Sequence, residues 1–476
     1  MQSIQSFFHK DHKLPKLSGK EWLNLWLFIF APNVLFLALA WYTNTARPIL
    51  NWDYLWIGIL WLMPYRILRI FASLIFVLAI LFDFLMLLIQ IFPFLDISAI
   101  QYFLPFLTVA PKSYLLGLGI LFLYVLLMPY VMLRWGRQHH RGYGVILFLS
   151  LLGLGYHLRD VKYIDFSAIM GRSNYFLSQS QSYLYYDASK SDFILAAKRD
   201  PILSPMSADK EKASSRFLQP QSDKILFVIA ESWGASRKSE MTQMILQKVY
   251  EQKSRFDFIQ TGIFDFSGST VQGELRELCG LAVENGYALS RLAAQPFEKC
   301  LPNQLKKQGY KTISMHGTSG LLYDRTGWYQ KAGLQQNLFG ENFHDLKRCS
   351  AFNGVCDSEL RQVVGKIFAQ YTKPDDKLFF YWLTLTSHHP YDLDDVHNHR
   401  FNCELWGMKP NGEVCGNFKL QTQFFDDFAM LIQQPEMKGV EVIVVGDHMP
   451  PLSDGEDIYP FVRWQAVSWL HFKIKA

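Results

Sequence analysis

Cysteine is missing from the first 278 residues of this 476-residue chain, yet six cysteines fall in the remaining part: Cys279, Cys300, Cys349, Cys356, Cys403 and Cys415. No CxxC pair occurs among them, which removes the usual zinc-ribbon and thiol-redox spacings. A large charge excess is also missing. A net charge of +5 is modest, and much of the basic surplus lies beside apolar runs, so nucleic acid is not indicated as a partner.

An even set of cysteines confined to one region fits a disulfide-bonded domain in an oxidising compartment. Cys349 with Cys356, in CSAFNGVC, and Cys403 with Cys415, in CELWGMKPNGEVC, each flank a short Gly- or Pro-containing loop. Cys279 and Cys300 are then left for each other. Free thiols or a zinc site are the plainer alternative.

The chain is rich in apolar and aromatic side chains, at 50% and 16%, which points to a membrane portion. A helix needs about 20 apolar residues to cross a bilayer. Runs of that kind lie near 22–42, 49–65, 69–93, 113–133 and 143–157, a count of five. The first is not a signal peptide, since further spans come after it. Lys10, Lys13, Lys16 and Lys20 precede the first run, Arg66 and Arg69 follow the second, and Arg134, Arg137 and Arg141 follow the fourth. With five spans all three groups share one side, the cytoplasm by the positive-inside rule. Everything after about residue 158 then lies outside it, in agreement with the cysteines. The reading is a multi-pass membrane protein. Asp83, within ILFDFLM, has two readings: a functional intramembrane acid or a helix–helix hydrogen bond.

The chain thus divides into three regions: a transmembrane domain over 1–157, a juxtamembrane linker over 158–222 broken by Pro201, Pro205 and Pro220, and a domain over 223–476. In the last, KILFVIAE (224–231), KTISMHG (311–317), KLFFYWLTLT (377–386) and VEVIVVGDH (440–448) read as strands. PNQLKKQG and SELRQVVGKIFAQY have helical spacing between them. Continuous apolar strands alternating with helices indicate a parallel sheet covered on both faces, with functional residues at the carboxyl ends of its strands.

Those ends carry Glu231, His316, the pair His388-His389 and the pair Asp447-His448. Glu231, Asp447 and His448 form an O,O,N set suited to zinc or manganese. The segment FDFSGSTVQGELREL (264–278) places Thr270 after a Gly-Ser turn and before a helix, where free backbone N–H groups favour negative charge. Thr270 or Ser269 as a simple helix cap, with Glu274 and Glu277 supporting the first turns, is the bland alternative.

GSTVQGEL resembles the nucleophile motif of the lipoteichoic acid synthase, phosphoglycerol transferase and phosphoethanolamine transferase family, a sulfatase-like branch of the alkaline phosphatase superfamily. HGTSGLLYDR (316–325), LTSHHPY (385–391) and VIVVGDH (442–448) are similar to further motifs of that family, in the same order over about 225–450. The resemblance implies a sulfatase-like α/β catalytic domain on the extracytoplasmic side of a helical membrane domain. Glu231, Thr270, Asp447 and His448 would hold one divalent metal, Thr270 would be the nucleophile, and His388 would face the reacting phosphorus. His316, Tyr323 and Arg325 would contact the substrate. The implied donor is a phospholipid and the implied acceptor an envelope glycan or glycolipid. The rival class is a sulfatase or phosphodiesterase. Sulfatases use a C/S-x-P-x-R segment, which the nucleophile segment here lacks. The six cysteines resemble the phosphoethanolamine branch more than the lipoteichoic acid branch.

Overall fold

The structure, a computed structural model, describes residues 17–43, 45–91, 112–138, 143–158, 175–190, 199–207, 209–373, 375–389, 391–452 and 457–476. They divide into two compact units, one running through Lys190 and the other over the rest of the chain. Lys10, Lys13, Lys16 and Arg141, which bear on the orientation, lie outside the described residues.

The first unit holds helices α1 (Gly19–Thr43), α2 (Trp52–Leu62), α3 (Arg66–Ile91), α4 (Lys112–Gln138) and α5 (Tyr143–Leu158), one in each apolar run. Three are long and apolar enough to cross a membrane, over Gly19–Thr43, Arg66–Gln90 and Leu116–Trp135. The second and fifth runs fall short of the span expected of them. Helix α2 has 11 residues and α5 has 16, and part of the second run forms strand β1 (Arg47–Asn51) instead of helix. β1 pairs in parallel with β2 (Tyr175–Gln179), which leads into α6 (Gln181–Ser189). Asn51 caps α2 by accepting the Asp53 N–H.

The second unit is built on eight strands: β4 (Lys224–Ala230), β5 (Gly234–Ser236), β6 (Phe256–Asp265), β8 (Lys311–His316), β9 (Gln336–Leu338), β10 (Leu378–Leu383), β11 (Glu441–Gly446) and β12 (Val462–Ile474). They form one sheet with the path β5–β12–β11–β4–β10–β8–β9, and β6 also pairs with β12. β11, β4, β10, β8 and β9 are parallel, whereas β12 runs against β11. A separate ribbon joins β3 (Ile202–Pro205) to β7 (Leu281–Asn285).

All four expected strands are present, and their alternation explains the layers. Leu226, Val228, Val442 and Val444 face one core with helices α7 (Ser239–Ile245), α8 (Gln247–Tyr250), α12 (Asp357–Phe368) and α13 (Glu413–Leu431). Ile225, Phe227, Ile443 and Val445 face the other, with α9 (Thr270–Cys279), α10 (Leu301–Lys307) and α11 (Arg325–Ala332). The cysteines pair as Cys279–Cys300, Cys349–Cys356 and Cys403–Cys415. Closing loops of this size stabilises a domain by roughly 2–4 kcal/mol each.

Candidate active site

Glu231 and Asp447 leave the sheet one residue past the ends of the neighbouring strands β4 and β11, whose register pairs Ala230 with Gly446. Adjacent parallel strands therefore deliver two carboxylates side by side. Asp447 is fully buried. Its Oδ1 accepts the backbone N–H groups of Ser232 (2.7 Å) and His448 (2.8 Å), and its Oδ2 has no hydrogen-bond donor among the described residues. His448 Nδ1 lies 2.9 Å from the Met449 carbonyl, which fixes the ring proton there and turns Nε2 to the carboxylates, 3.2 Å from Asp447 Oδ2 and 3.5 Å from Glu231 Oε1.

Thr270 is the first residue of α9, and its hydroxyl completes this cluster. It donates to Glu231 Oε2 at 3.3 Å and lies 3.3 Å from His448 Nε2. The cap is Ser269 instead, whose backbone N–H is bound by the Gln272 side chain at 2.7 Å. The two glutamates set aside as helix support have other partners. Glu277 binds Arg276 and the Ala213 and Ser214 N–H groups, while Glu274 binds Arg325. Two contacts bring α9 this close to β11. A Cβ on Gly273 would stand 2.9 Å from the Asp447 carbonyl oxygen, so only glycine fits. Arg276 then ties the helix down by donating to the Gly446 and Asp447 carbonyls.

The electrostatics are those of a cluster short of positive charge. Burial, and then the charge of Glu231, raise the Asp447 carboxyl to about 7. Burial opposes protonation of His448, but Asp447 and Glu231 outweigh it and raise the imidazole above its usual range. One ligand atom each from Glu231, Asp447 and His448 lie within 4.8 Å of one another. Two carboxylates, an unsatisfied buried Oδ2 and an imidazole lone pair held inward fit a divalent cation, with zinc and manganese both suited to the donor set.

Of the other expected residues, His388 feels the charges of Asp447 and His448, and Tyr323 that of Glu231. His388 is half-buried, with Nδ1 2.6 Å from the His389 carbonyl, and desolvation lowers it to about 4, so it is neutral at neutral pH. Its loop is held by Asp357 at the start of α12, which accepts the Leu385 and Thr386 N–H groups. His316 is buried against the Leu383 carbonyl, and burial with the Arg325 charge lowers its pKa. Arg325 places Nε and one terminal nitrogen on Glu274 Oε2 at 2.9 and 2.8 Å, while Tyr329 and Tyr381 donate to Oε1. It lies 5.2 Å from the Tyr323 ring centre. Arg325 thus sits within a buried pair instead of at an open surface, with a partner that its sequence neighbourhood does not announce.

Ser232, Asp357, Gly273 and Arg276 also escape the sequence patterns, although the lone glycine inside a helical pattern is a readable sign of close approach. Strain gathers here as well. Ser232, Tyr323, Phe352 and Tyr391 have φ of 56°, 52°, 50° and 59°. Ser232 adjoins Glu231, the Phe352 ring meets His388 at 4.6 Å, and Tyr323 and Tyr391 both feel the Glu231 charge. Non-glycine residues held at positive φ concentrate at functional sites.

A parallel sheet presenting a buried carboxylate–imidazole cluster beside a helix-start hydroxyl is the frame of a sulfatase-like domain of the alkaline phosphatase superfamily. The Sulfatase family model matches residues 224–465, and the chain belongs to that family. A putative cyclic beta-1,2-glucan modification protein of Rhizobium meliloti (strain 1021) is 24% identical over 199 residues, 40% of this chain and 30% of that protein. The lipoteichoic acid synthase LtaP from Listeria monocytogenes aligns at 16% identity and a TM-score of 0.40, over 52% of this chain and 65% of that one. The integral membrane lipooligosaccharide phosphoethanolamine transferase A from Neisseria meningitidis aligns at 11% identity and 0.33, over 97% of this chain and 90% of that one. The chain thus spans under a third of that curated relative and just under two thirds of the synthase chain.

Proposed function

We propose that the chain is a membrane-bound transferase that moves a phosphoethanolamine or phosphoglycerol head group from a phospholipid to an envelope glycan or glycolipid. The observation that carries this reading is the Thr270 hydroxyl, at a helix start and 3.3 Å from both Glu231 Oε2 and His448 Nε2. A divalent cation, zinc or manganese, held by Glu231, Asp447, His448 and Thr270 would favour the alkoxide and neutralise charge on the transferring group.

The chain's own groups account for the rest. Glu231 Oε2, which accepts the Thr270 hydrogen bond, is placed to take the hydroxyl proton as Thr270 Oγ1 attacks phosphorus. The bond from phosphorus to the diacylglycerol oxygen breaks, that oxygen takes up a proton, and a head-group phosphothreonine remains. An acceptor hydroxyl then attacks the same phosphorus, the bond from phosphorus to Thr270 Oγ1 breaks, and Oγ1 takes up a proton, so that Thr270 is restored. His388, neutral and with its Nδ1 proton fixed on a carbonyl, offers Nε2 to the acceptor hydroxyl's proton. Tyr323, His316 and Arg325 line the approach, Arg325 acting through the cluster it forms with Glu274. Three helices able to span a bilayer suit a lipid donor and a diacylglycerol product that stay in the membrane. A glycan acceptor accords with the name of the Rhizobium meliloti relative. The catalytic unit is assigned to the periplasmic side of the inner membrane, where its three disulfides can form.

The test is an account of products. With donor phospholipid and envelope acceptors supplied, diacylglycerol release should be matched by head group on the glycan. Head group found only as free phosphate ester would establish the hydrolase instead.

A further inference from the structure

Far from Thr270, at the opposite end of the sheet, the catalytic unit has a cleft of about 640 Å³. Its floor is His471 on β12 and Phe258 on β6, with ring centres 4.8 Å apart. His471 Nε2 lies 2.8 Å from Glu441 Oε1, at the first residue of β11, and Glu441 Oε2 accepts the Gln221 N–H. The imidazole is therefore fixed, and its buried Nδ1 has no hydrogen-bond partner among the described residues. On one wall the Arg216 guanidinium stacks 3.8 Å over the Trp469 ring. Ser215, Leu218, Gln219, Gln221 and Gln260 line the rest, and the three glutamine side-chain amides are unbonded to other described residues. Glu441 is fully buried, and among the described residues no acidic side chain lines the cleft.

We propose that this cleft binds a neutral, hydroxyl-rich glycan segment and anchors a long acceptor away from the reacting phosphorus. The size is that of a small-ligand site. Planar amides that donate and accept, a stacked guanidinium that spends one terminal nitrogen on the Ala213 carbonyl and keeps its other donors, and an aromatic floor suit sugar hydroxyls and the apolar faces of sugar rings. One cation among three amides is a poor match to a phosphate, and the polar walls are a poor match to an acyl chain. The length of β11 separates Glu441 from Asp447, roughly 20 Å of strand, so only an acceptor of several sugars could reach both places. Occupying the cleft would raise its effective concentration at Thr270.

This inference rests on the acceptor reading above, and its test keeps the two apart. Full-length protein in nanodiscs carrying Thr270→Ala is mixed with short neutral β-glucan oligosaccharides, and saturation transfer to the sugar is measured by NMR. The sugar should bind, Gln221→Ala with Gln260→Ala should weaken it by roughly tenfold, and inorganic phosphate should not displace it. With Thr270 intact, the double variant should raise KM for long acceptors about as much, leaving kcat and the KM of short acceptors unchanged. No binding, binding indifferent to the two glutamines, or displacement by phosphate would each overturn the cleft assignment without touching the transferase. Glutamine-dependent binding with no head-group transfer would keep the cleft and remove the acceptor reading.

Discussion

Asp83 in the first unit and Asp447 in the second are both carboxylates almost sealed from water, and they are held in opposite ways. Asp83 receives Arg47 through two nitrogens, at 3.0 and 2.5 Å, together with Asn51, Tyr54 and Gln181. Arg47 in turn reaches Asn33 and the Pro48 carbonyl. Both oxygens of Asp83 are satisfied within the unit, and the network ties α3 to β1, α2 and α6. Asp447 has a like charge beside it, one oxygen without a donor and, among the described residues, no cationic partner for its side chain but the neighbouring imidazole. A satisfied buried charge organises the chain around it. An unsatisfied one beside a second carboxylate and an inward-facing imidazole has the chemistry to suit a cation. Of the two readings open for Asp83, the contacts favour the structural one.

The contrast can be broken by mutation. The largest effect is expected from Asp447→Ala, which should remove the bound divalent ion and lower turnover by several orders of magnitude while the fold survives. Metal analysis and thermal unfolding of the same sample check this, and full metal occupancy in the variant would mean that the ligands are wrongly assigned. Asp83→Ala should do the reverse. It strands Arg47 and should cost about 3–5 kcal/mol of stability, seen as a lower unfolding temperature in detergent, with unchanged metal content in whatever remains folded.

The next effect sharpens the comparison at the seam between α9 and β11. Gly273→Ala forces a methyl against the Asp447 backbone and should weaken metal binding roughly 10–100-fold, the range for groups that orient ligands. Affinity equal to wild type would show that the helix can move aside without cost.

The smallest effect is a slope. Burial raises Asp357 to about 6 from an ordinary carboxylate value near 3.8. The native state keeps this proton to higher pH than the unfolded chain. Its contribution to stability is therefore whole below about pH 4 and is lost as pH rises through 6. Asp357→Asn should flatten that part of the stability–pH curve, and an unaltered curve would remove Asp357 from the account.

Much of the molecule is legible in its sequence where one physical requirement dominates. β4, β10 and β11 are buried on both faces and so are written as nearly unbroken apolar runs, β8 is buried too but carries Thr312 and Ser314 within it, and the chemistry at the strand ends, Glu231, His316, His388 and Asp447, is readable beside them. β6 and β12 do not stand out. Along β6 the burial is patchy, and β12 begins with the exposed Arg463, Trp464 and Gln465 before its apolar stretch. Helix α13 buries nearly its whole circumference, including Asn417, Gln421, Gln423, Asp426 and Asp427, so no polar face marks it. Long-range pairing is equally hidden. Nothing near Arg325 in the sequence announces Glu274, 51 residues away, and nothing near Asp83 announces Arg47. The second apolar run resembles a span because composition alone does not reveal that β1 takes up its first residues.

The central claim is that Thr270 carries the transferred group. The most direct measurement is mass spectrometry of the intact Thr270 peptide after the full-length protein has been incubated with phospholipid and quenched before acceptor is added. A head-group phosphate on Thr270, absent in Thr270→Ala and retained in Ser269→Ala, is the predicted result, and the added mass distinguishes phosphoethanolamine from phosphoglycerol. An unmodified Thr270 in protein that is releasing diacylglycerol, or the same adduct on Ser269, would contradict it.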